Sequence, residues 1–437
     1  MKEIKRVAVL GAGTMGGGIA GACAAAGREV LLLDIDRAAG EKAKERLTAG
    51  RAPALADPKH LEKISVGSFA ADLGGLAECD WVCEAIIEDL ETKREMFGEV
   101  EDARAKDSLI STNTSGIPLA DICAGMPLRM QNDIAVTHFF NPVHVMKLVE
   151  LVPGEHTRPE TIESLAAFLG GPLGKGVVHA KDTVNFIGNR IGCLWMLAGL
   201  HLAERAIRED GLTIETVDAL TAAPLGLPPT GLYGLIDLIG LDVMHGVGKN
   251  LQANLPPKDA GRRYTAFTAN VQRLHDRGQL GRKTGGGFYK LTRHEDGGKS
   301  MEVFDLEADA WRAAQPVELP ADEQTLPALF AGGGANARFV RELVATTLCY
   351  AADLVPEISD DIVNIDRAMR WGFNWKLGPF EMIDQLGAQT LLAHLADSKT
   401  PAPKMLRALQ DCGAESFYRN DGAEFLTAEG KWERVPE

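Results

Sequence analysis

The run Gly11-Ala12-Gly13-Thr14-Met15-Gly16 sits between a short apolar stretch, Arg6 to Leu10, and an alanine-rich stretch, Ile19 to Ala26. That order of strand, glycine turn and helix constrains the fold more than any other feature of the chain. A glycine-rich turn on its own is common and can be purely structural. Here the pattern is G-x-G-x-x-G in the right context: its glycines permit a tight turn, close approach of backbone to a pyrophosphate, and close helix packing. The amino terminus of the helix adds unsatisfied N–H groups and a partial positive charge.

A second strand, Glu29 to Leu33, ends at Asp34, and a charged helix from Arg37 to Leu47 follows. A carboxylate at that strand end accepts hydrogen bonds from an adenosine ribose and repels a 2′-phosphate, so the expected cofactor is NAD rather than NADP. The binding set read from the turn is Gly11, Gly13, Thr14, Met15 and Gly16, with Asp34 at the ribose. A P-loop near Gly171 to Lys175 is excluded because Pro172 interrupts it and Gly176 stands where a magnesium-binding hydroxyl belongs.

Apolar strands recur at Trp81 to Ile87, Ser108 to Thr112 and Ile134 to Phe139, separated by helical segments such as Leu90 to Ala105. Alternating β and α elements predict an α/β domain of Rossmann type, a parallel sheet covered on both faces, over residues 1–182. Beyond Asp182 the spacing turns helical, with helices expected at Ile191 to Arg208, Thr213 to Leu220 and Ile236 to Gly248, and strands nearly vanish. An all-α domain is assigned to 183–290, a linker to 291–330, and a second helical region with the tail to 331–437. Gly231, Ile236, Asp237 and Gly240 reappear at one constant offset as Gly378, Ile383, Asp384 and Gly387, which points to a duplicated helical unit. Chance matching of short Gly and Ile-Asp pairs is the alternative.

With 45% hydrophobic and 24% charged residues, the 437-residue chain reads as globular and large enough for several cores. A net charge of −15 argues against a nucleic-acid partner. Seven cysteines without a paired CxxC arrangement suit neither a disulfide framework nor a zinc site, and no metal is expected. No apolar run is long enough for a membrane span, strand-like sequence begins by Arg6, and a cytoplasmic setting is the expectation.

Polar clusters at strand ends are the candidates for chemistry. Asn113-Thr114-Ser115 follows one strand, His138 to Pro142 closes another, and Asn189-Arg190 precedes the first long helix of the second domain. Asn141-Pro142 breaks its strand and an extended run resumes at Met146, so a reversal centred near His144 sets His138 opposite Glu150. A carboxylate facing an imidazole fixes its tautomer and stabilises the imidazolium, as a general base for alcohol oxidation requires. Ser115 and Asn189 are then candidates to hold the substrate oxygen. Each residue also has a plainer reading: a structural histidine, a serine capping a helix near Pro118, a solvated glutamate, a capping asparagine. A Ser-His-Glu hydrolase is disfavoured because Ser115 lacks the glycine two residues before it that a nucleophile elbow needs.

Together the segments GAGTMGGGIA, EAIIEDLETK, NTSGIP, HFFNPVHVMKLVELV, KDTVNFIGNR and GRKTGGGFYK, in this order, resemble the L-3-hydroxyacyl-CoA dehydrogenase family over the chain up to about Leu395. The resemblance implies NAD-dependent oxidation of an acyl-CoA thioester in fatty-acid β-oxidation, with His138 as base, Glu150 as its partner, and Ser115 and Asn189 at the substrate oxygen. It further implies Asp34, Glu88, Lys93, Asn141 and Lys283 as contacts to NAD or the ternary complex. Plainer roles remain for Glu88 and Lys93 as a solvated charge pair, and for Lys283 as a turn residue. The sequence departs from the family pattern at Val184-Asn185-Phe186, where Pro-Gly-Phe is usual, and at Thr230 to Tyr233, where Gly-Pro-Phe-Glu is usual, leaving acyl-chain preference open. The second repeat keeps Gly378-Pro379-Phe380-Glu381 but has Arg341 after Phe339-Val340, so no chemistry is expected there. The resemblance to multifunctional fatty-acid oxidation enzymes implies that the two helical copies pack as an internal pseudo-dimer; no hydratase segment is recognisable, and the chain is either part of a larger enzyme that carries one or a stand-alone version. A dehydrogenase of a free hydroxy acid, or a NAD-binding regulatory protein with a vestigial site, are the competing readings.

Overall fold

A computed structural model describes residues 2–50, 53–294 and 297–436. The chain forms two compact units, one of residues 1–187 with 357–359 and the other of 188–356 with 360–437. In the first unit, β1 (Arg6–Leu10), α1 (Thr14–Ala25), β2 (Glu29–Asp34) and α2 (Arg37–Thr48) follow the expected order. Six further strands, β3 (Ile64–Ser68), β4 (Trp81–Glu84), β5 (Leu109–Thr112), β6 (Ile134–Phe139), β7 (Leu148–Pro153) and β8 (Gly176–His179), complete an eight-stranded sheet of order β3-β2-β1-β4-β5-β6-β7-β8. All neighbouring pairs are parallel except β6 with β7, whose antiparallel register sets His138 against Glu150. That pair is the reversal expected near His144: the Asn141-Pro142 break joins the two strands by a short connection, and only antiparallel neighbours can be joined so directly.

The sheet is buried on both faces. Val9, Leu32 and Cys83 on one face and Leu10, Leu33 and Val82 on the other are 0% exposed, and each such side chain removed from water contributes roughly 1.5–3 kcal/mol. Because β1, β4, β5 and β6 run parallel, their carboxyl ends share one edge. His138 thus stands three strand spacings, about 14 Å, from the end of β1.

In the second unit the first helix runs Gly188–Asp210 and the next Ile214–Leu220, capped by Thr213. The single helix expected from Ile236 to Gly248 is instead two, Gly231–Ile239 and Leu241–Asn254. Gly240 separates them at φ 107°, a conformation that only glycine adopts without strain. Strands do not vanish here. Tyr289–Arg293, Lys299–Asp305 and Ala310–Ala313 form an antiparallel three-stranded sheet within the expected linker, of which residues 295 and 296 lie outside the described set. A second small sheet, Tyr418–Arg419 with Glu424–Leu426 and Trp432–Arg434, closes the chain. Only Val303, Phe304, Phe425 and Leu426 are buried in these strands, so their alternation is too weak to stand out in the sequence.

The same hydrogen-bonded device occurs twice in this unit. Asp218 accepts from the N–H groups of Tyr233 and Gly234 at the start of one helix, and Asp366 from those of Phe380 and Glu381 at the start of another. Asp237 accepts from Phe288 and Tyr289, and Asp384 from Phe417 and Tyr418. The repeated Ile-Asp pairs are therefore structural anchors: each aspartate ties a helix to a later strand. The long helices Gly188–Asp210 and Ala335–Asp353 pack on one another. Arg190, 1% exposed, joins them by donating to the Tyr350 hydroxyl and to Asp259, each at 2.6 Å.

Burial pushes Asp218 up to about 7, against the pull of its backbone N–H donors and the Tyr289 hydroxyl. Between its unfolded value near ~3.9 and 7, the folded chain holds a proton that the unfolded chain has lost. This group's contribution to stability therefore falls as pH rises through that window. Asp218→Asn is expected to flatten that part of the pH–stability curve. It also replaces one of the two oxygens that accept the helix N–H groups by an amide donor, at about 1–3 kcal/mol. Thermal melts of both proteins from pH 4 to 8 check this, and parallel curves would rule it out.

All seven cysteines are free. Among the described residues no helix is long and apolar enough to cross a membrane.

Candidate active site

The glycine turn has the geometry a dinucleotide needs. Gly11 has φ 102°, and a Cβ on Gly16 would lie 1.8 Å from the Gly11 carbonyl oxygen, so neither position accepts a side chain. At Gly13 a Cβ would meet nothing within 4 Å, which leaves open space in front of the loop. Gly13 caps α1 without a side-chain bond. The N–H groups of Thr14, Met15 and Gly16 have no acceptor among the described residues, as an anion site at a helix amino terminus requires. Asp34, at the end of β2, accepts from the N–H groups of Ala12 and Ile35. It thereby steadies the turn and keeps lone pairs in reserve. Ile35 is 81% exposed and Ile87 67% exposed, on the loops after β2 and β4, where apolar surface is available to a flat base. These residues fit a bound NAD.

Next along the edge is a buried charged cluster. Glu84 is 0% and Lys93 1% exposed; the ammonium lies 2.7 Å from Glu84 Oε1 and 3.4 Å from Glu88 Oε2. Glu84 also accepts from the Ile86 N–H and the Thr112 hydroxyl. Lys93 is thus not one half of a solvated pair but the counter-charge of a carboxylate sealed beneath the strand ends. Glu88 Oε1 receives the Thr114 hydroxyl at 2.7 Å, the Ser115 N–H at 2.8 Å and the Gly116 N–H at 3.1 Å. That carboxylate holds the turn which presents Ser115. The Ser115 side chain is exposed and does not cap the helix Leu119–Cys123, whose first N–H groups donate to Asp182 instead.

His138 Nδ1 and Glu150 Oε2 are 2.7 Å apart, with His138 4% and Glu150 0% exposed. The other oxygen of Glu150 accepts from the Ile187 N–H at 2.9 Å. Since a carboxylate only accepts, the proton of this pair sits on Nδ1, and Nε2 carries the free lone pair. Nε2 has no hydrogen bond to the described residues. The ring is flanked by Phe140 and Phe186, with centroids at 4.6 and 5.7 Å. Asn113 Oδ1 accepts from the Phe139 N–H at 2.9 Å and fixes the end of β6. Asn185 and Phe186 take left-handed φ values of 61° and 51° at the departure from the family's glycine. Asparagine tolerates that region far better than phenylalanine does, so the strain sits on the residue against the imidazole.

One unit therefore holds the glycine turn, Asp34, Glu88, Lys93, Ser115, His138, Glu150 and Asn141, the last exposed on the β6–β7 reversal. Asn189 and Lys283 belong to the second unit. Asn189 lies in the first turn of the helix Gly188–Asp210, and Lys283 pairs with Asp242 at 2.5 Å. Sequence reasoning missed Glu84, Ile35 and Ile87, and gave Asn113 no role of its own beside Ser115. Only Glu84 left a signal, as a charged residue inside an otherwise apolar strand.

Residues 6–183 match the model of the 3-hydroxyacyl-CoA dehydrogenase NAD binding domain. Residues 186–291 and 339–423 match that of the family's C-terminal domain. A probable 3-hydroxyacyl-CoA dehydrogenase of Deinococcus radiodurans is 37% identical, over 67% of this chain and 84% of its own length. A putative fatty acid oxidation complex trifunctional enzyme of Rickettsia felis is 35% identical, over 87% of this chain and 53% of its own. Among solved structures, 3-hydroxybutyryl-CoA dehydrogenase from Escherichia coli K12 superposes with TM-score 0.71 at 26% identity, covering 94% of this chain and all of that one. The chain spans only 53 to 59% of the length of three of the curated relatives it matches. With both family domains in order, and a relative matched over most of its length, the chain belongs to the 3-hydroxyacyl-CoA dehydrogenase family.

Proposed function

We propose that this chain oxidises the 3-hydroxyl of an L-3-hydroxyacyl-CoA thioester with NAD, and that His138 is the general base. The observation that carries this reading is the 2.7 Å contact of His138 with buried Glu150, at the same sheet edge as the glycine turn. NAD, when bound, supplies the hydride acceptor. His138 Nε2 takes the hydroxyl proton as the alcohol becomes a ketone, a step in which a positioned base contributes about 10²–10⁴-fold. Glu150 holds Nδ1 protonated and stabilises the imidazolium that forms. Ser115 and Asn189 are assigned to the substrate oxygen, where one well-aimed donor is worth about 3–4 kcal/mol.

The names of the relatives support a thioester substrate and a role in fatty-acid oxidation. On this reading the two helical copies act as an internal pseudo-dimer, and the hydratase step that makes a 3-hydroxyacyl-CoA comes from sequence outside these residues or from another chain. The free cysteines suit a reducing compartment such as the cytoplasm. The test is loss of NADH absorbance on adding acetoacetyl-CoA, compared with free acetoacetate. Turnover of the thioester alone is expected. Equal use of the free acid would move the assignment to a hydroxy-acid dehydrogenase, and NADH binding without turnover would leave only a binding protein.

Asp34→Ala is expected to lower the preference for NAD over NADP by at least about tenfold, since it removes a like charge from the place of a 2′-phosphate. Fluorescence titration of NADH and NADPH measures that ratio. An unchanged ratio would remove Asp34 from the ribose.

A further inference from the structure

Lys175 stands at the end of the stretch that fails as a P-loop, directly before β8. Its side chain is half-buried, and its ammonium donates to two backbone carbonyls of the β6–β7 reversal, those of Val143 and, at 2.8 Å, Met146. No carboxylate of the described residues pairs with it. Burial lowers its pKa. The reversal it grips carries Asn141 and also touches α1: a Cβ placed on Gly18 would lie 2.9 Å from Val143 Cγ2. β8 itself is anchored beside β7, with the Gly176 N–H donating to the Lys147 carbonyl at 2.8 Å. Lys175 thus fastens the loop after the His138 strand on one side, while Val143 seats the same loop against the glycine-turn helix on the other.

We propose that Lys175 is a positioning residue for the nicotinamide half of the dinucleotide, holding the β6–β7 reversal at the distance from α1 that the cofactor requires. The inference rests on NAD lying along this sheet edge. Two charge-assisted hydrogen bonds to the backbone of the reversal are involved. Losing them lets the reversal lift from α1, while Asp34 keeps its own bonds to the N–H groups of Ala12 and Ile35 and with them the glycine turn. The adenosine diphosphate half should then bind as before, and only the ligand that reaches the reversal should suffer.

Calorimetric titration of NADH and of ADP-ribose into the full chain tests this without turnover. Lys175→Met is expected to weaken NADH about tenfold or more, the effect of one lost charge-assisted bond, with ADP-ribose changed less than about twofold. Lys175→Arg, which keeps charge and donors, should recover most of the loss. Val143→Ala loosens the same contact from the α1 side and should give the same split, so the result does not depend on Lys175→Met folding well. Wild-type-like NADH affinity in Lys175→Met, or equal losses for both ligands, overturns the proposal. If the wild-type chain itself binds no NADH, the cofactor reading fails first, and the clamp with it.

Discussion

His138→Gln is expected to lower kcat by about 10²–10⁴-fold while NADH affinity stays within about twofold of wild type. Glutamine still reaches Glu150 by hydrogen bond and is close to imidazole in length, so the β6–β7 register and the cofactor edge should persist. What it lacks is a nitrogen that takes a proton near neutral pH. Steady-state rates with acetoacetyl-CoA, alongside NADH titration, separate the two effects. Near-normal kcat would remove the imidazole from the chemistry, and joint loss of rate and binding would assign it a structural role. Glu150 is fully buried and accepts from both His138 and Ile187. The pair is built as a unit, and its two members should not contribute additively.

Lys93→Met should produce the largest loss of stability. Lys93 and Glu84 are both sealed from solvent. Removing the ammonium leaves a carboxylate buried with only two neutral donors, at a cost of about 3–5 kcal/mol. For a unit of this size that corresponds to a melting point lower by roughly 6–20 °C. The double substitution Lys93→Met with Glu84→Leu should recover much of it, because a buried ion pair replaced by apolar groups of similar volume is often nearly neutral. Differential scanning calorimetry decides. If Lys93→Met melts within about 1 °C of wild type, the pair is solvated and the burial assigned to it is wrong. Glu88 also faces Lys93, so the single variant should loosen the Ser115 turn and raise KM for the thioester more than for NADH.

Much of this site was legible because its chemistry is local. The glycine turn is a contiguous motif. The opposition of His138 and Glu150 follows from a strand break at Asn141-Pro142 with extended sequence on both sides. Other features depend on what surrounds a residue rather than on its neighbours in sequence. Lys93 reads as an exposed helix residue because helical spacing says nothing of Glu84, which approaches from a separate strand. Ile64–Ser68 and Gly176–His179 are strands because they complete an edge of the sheet, not because their short, partly polar sequences favour extension. The break at Gly240 and the strands from Tyr289 onward are set by Asp237, whose carboxylate collects two N–H groups from more than fifty residues away. The Ile-Asp repeat was visible, but its purpose as an anchor was not.

The most direct measurement is a crystal structure of the chain with NAD and acetoacetyl-CoA bound. His138 Nε2 should lie within about 3 Å of the 3-oxygen of the acyl group, with Glu150 still on Nδ1, the pyrophosphate over Gly11 to Gly16, and the nicotinamide ring beside the imidazole. A nicotinamide lodged elsewhere, or a 3-oxygen out of reach of Nε2 with the imidazole still bonded to Glu150, would contradict the assignment of His138 as the base.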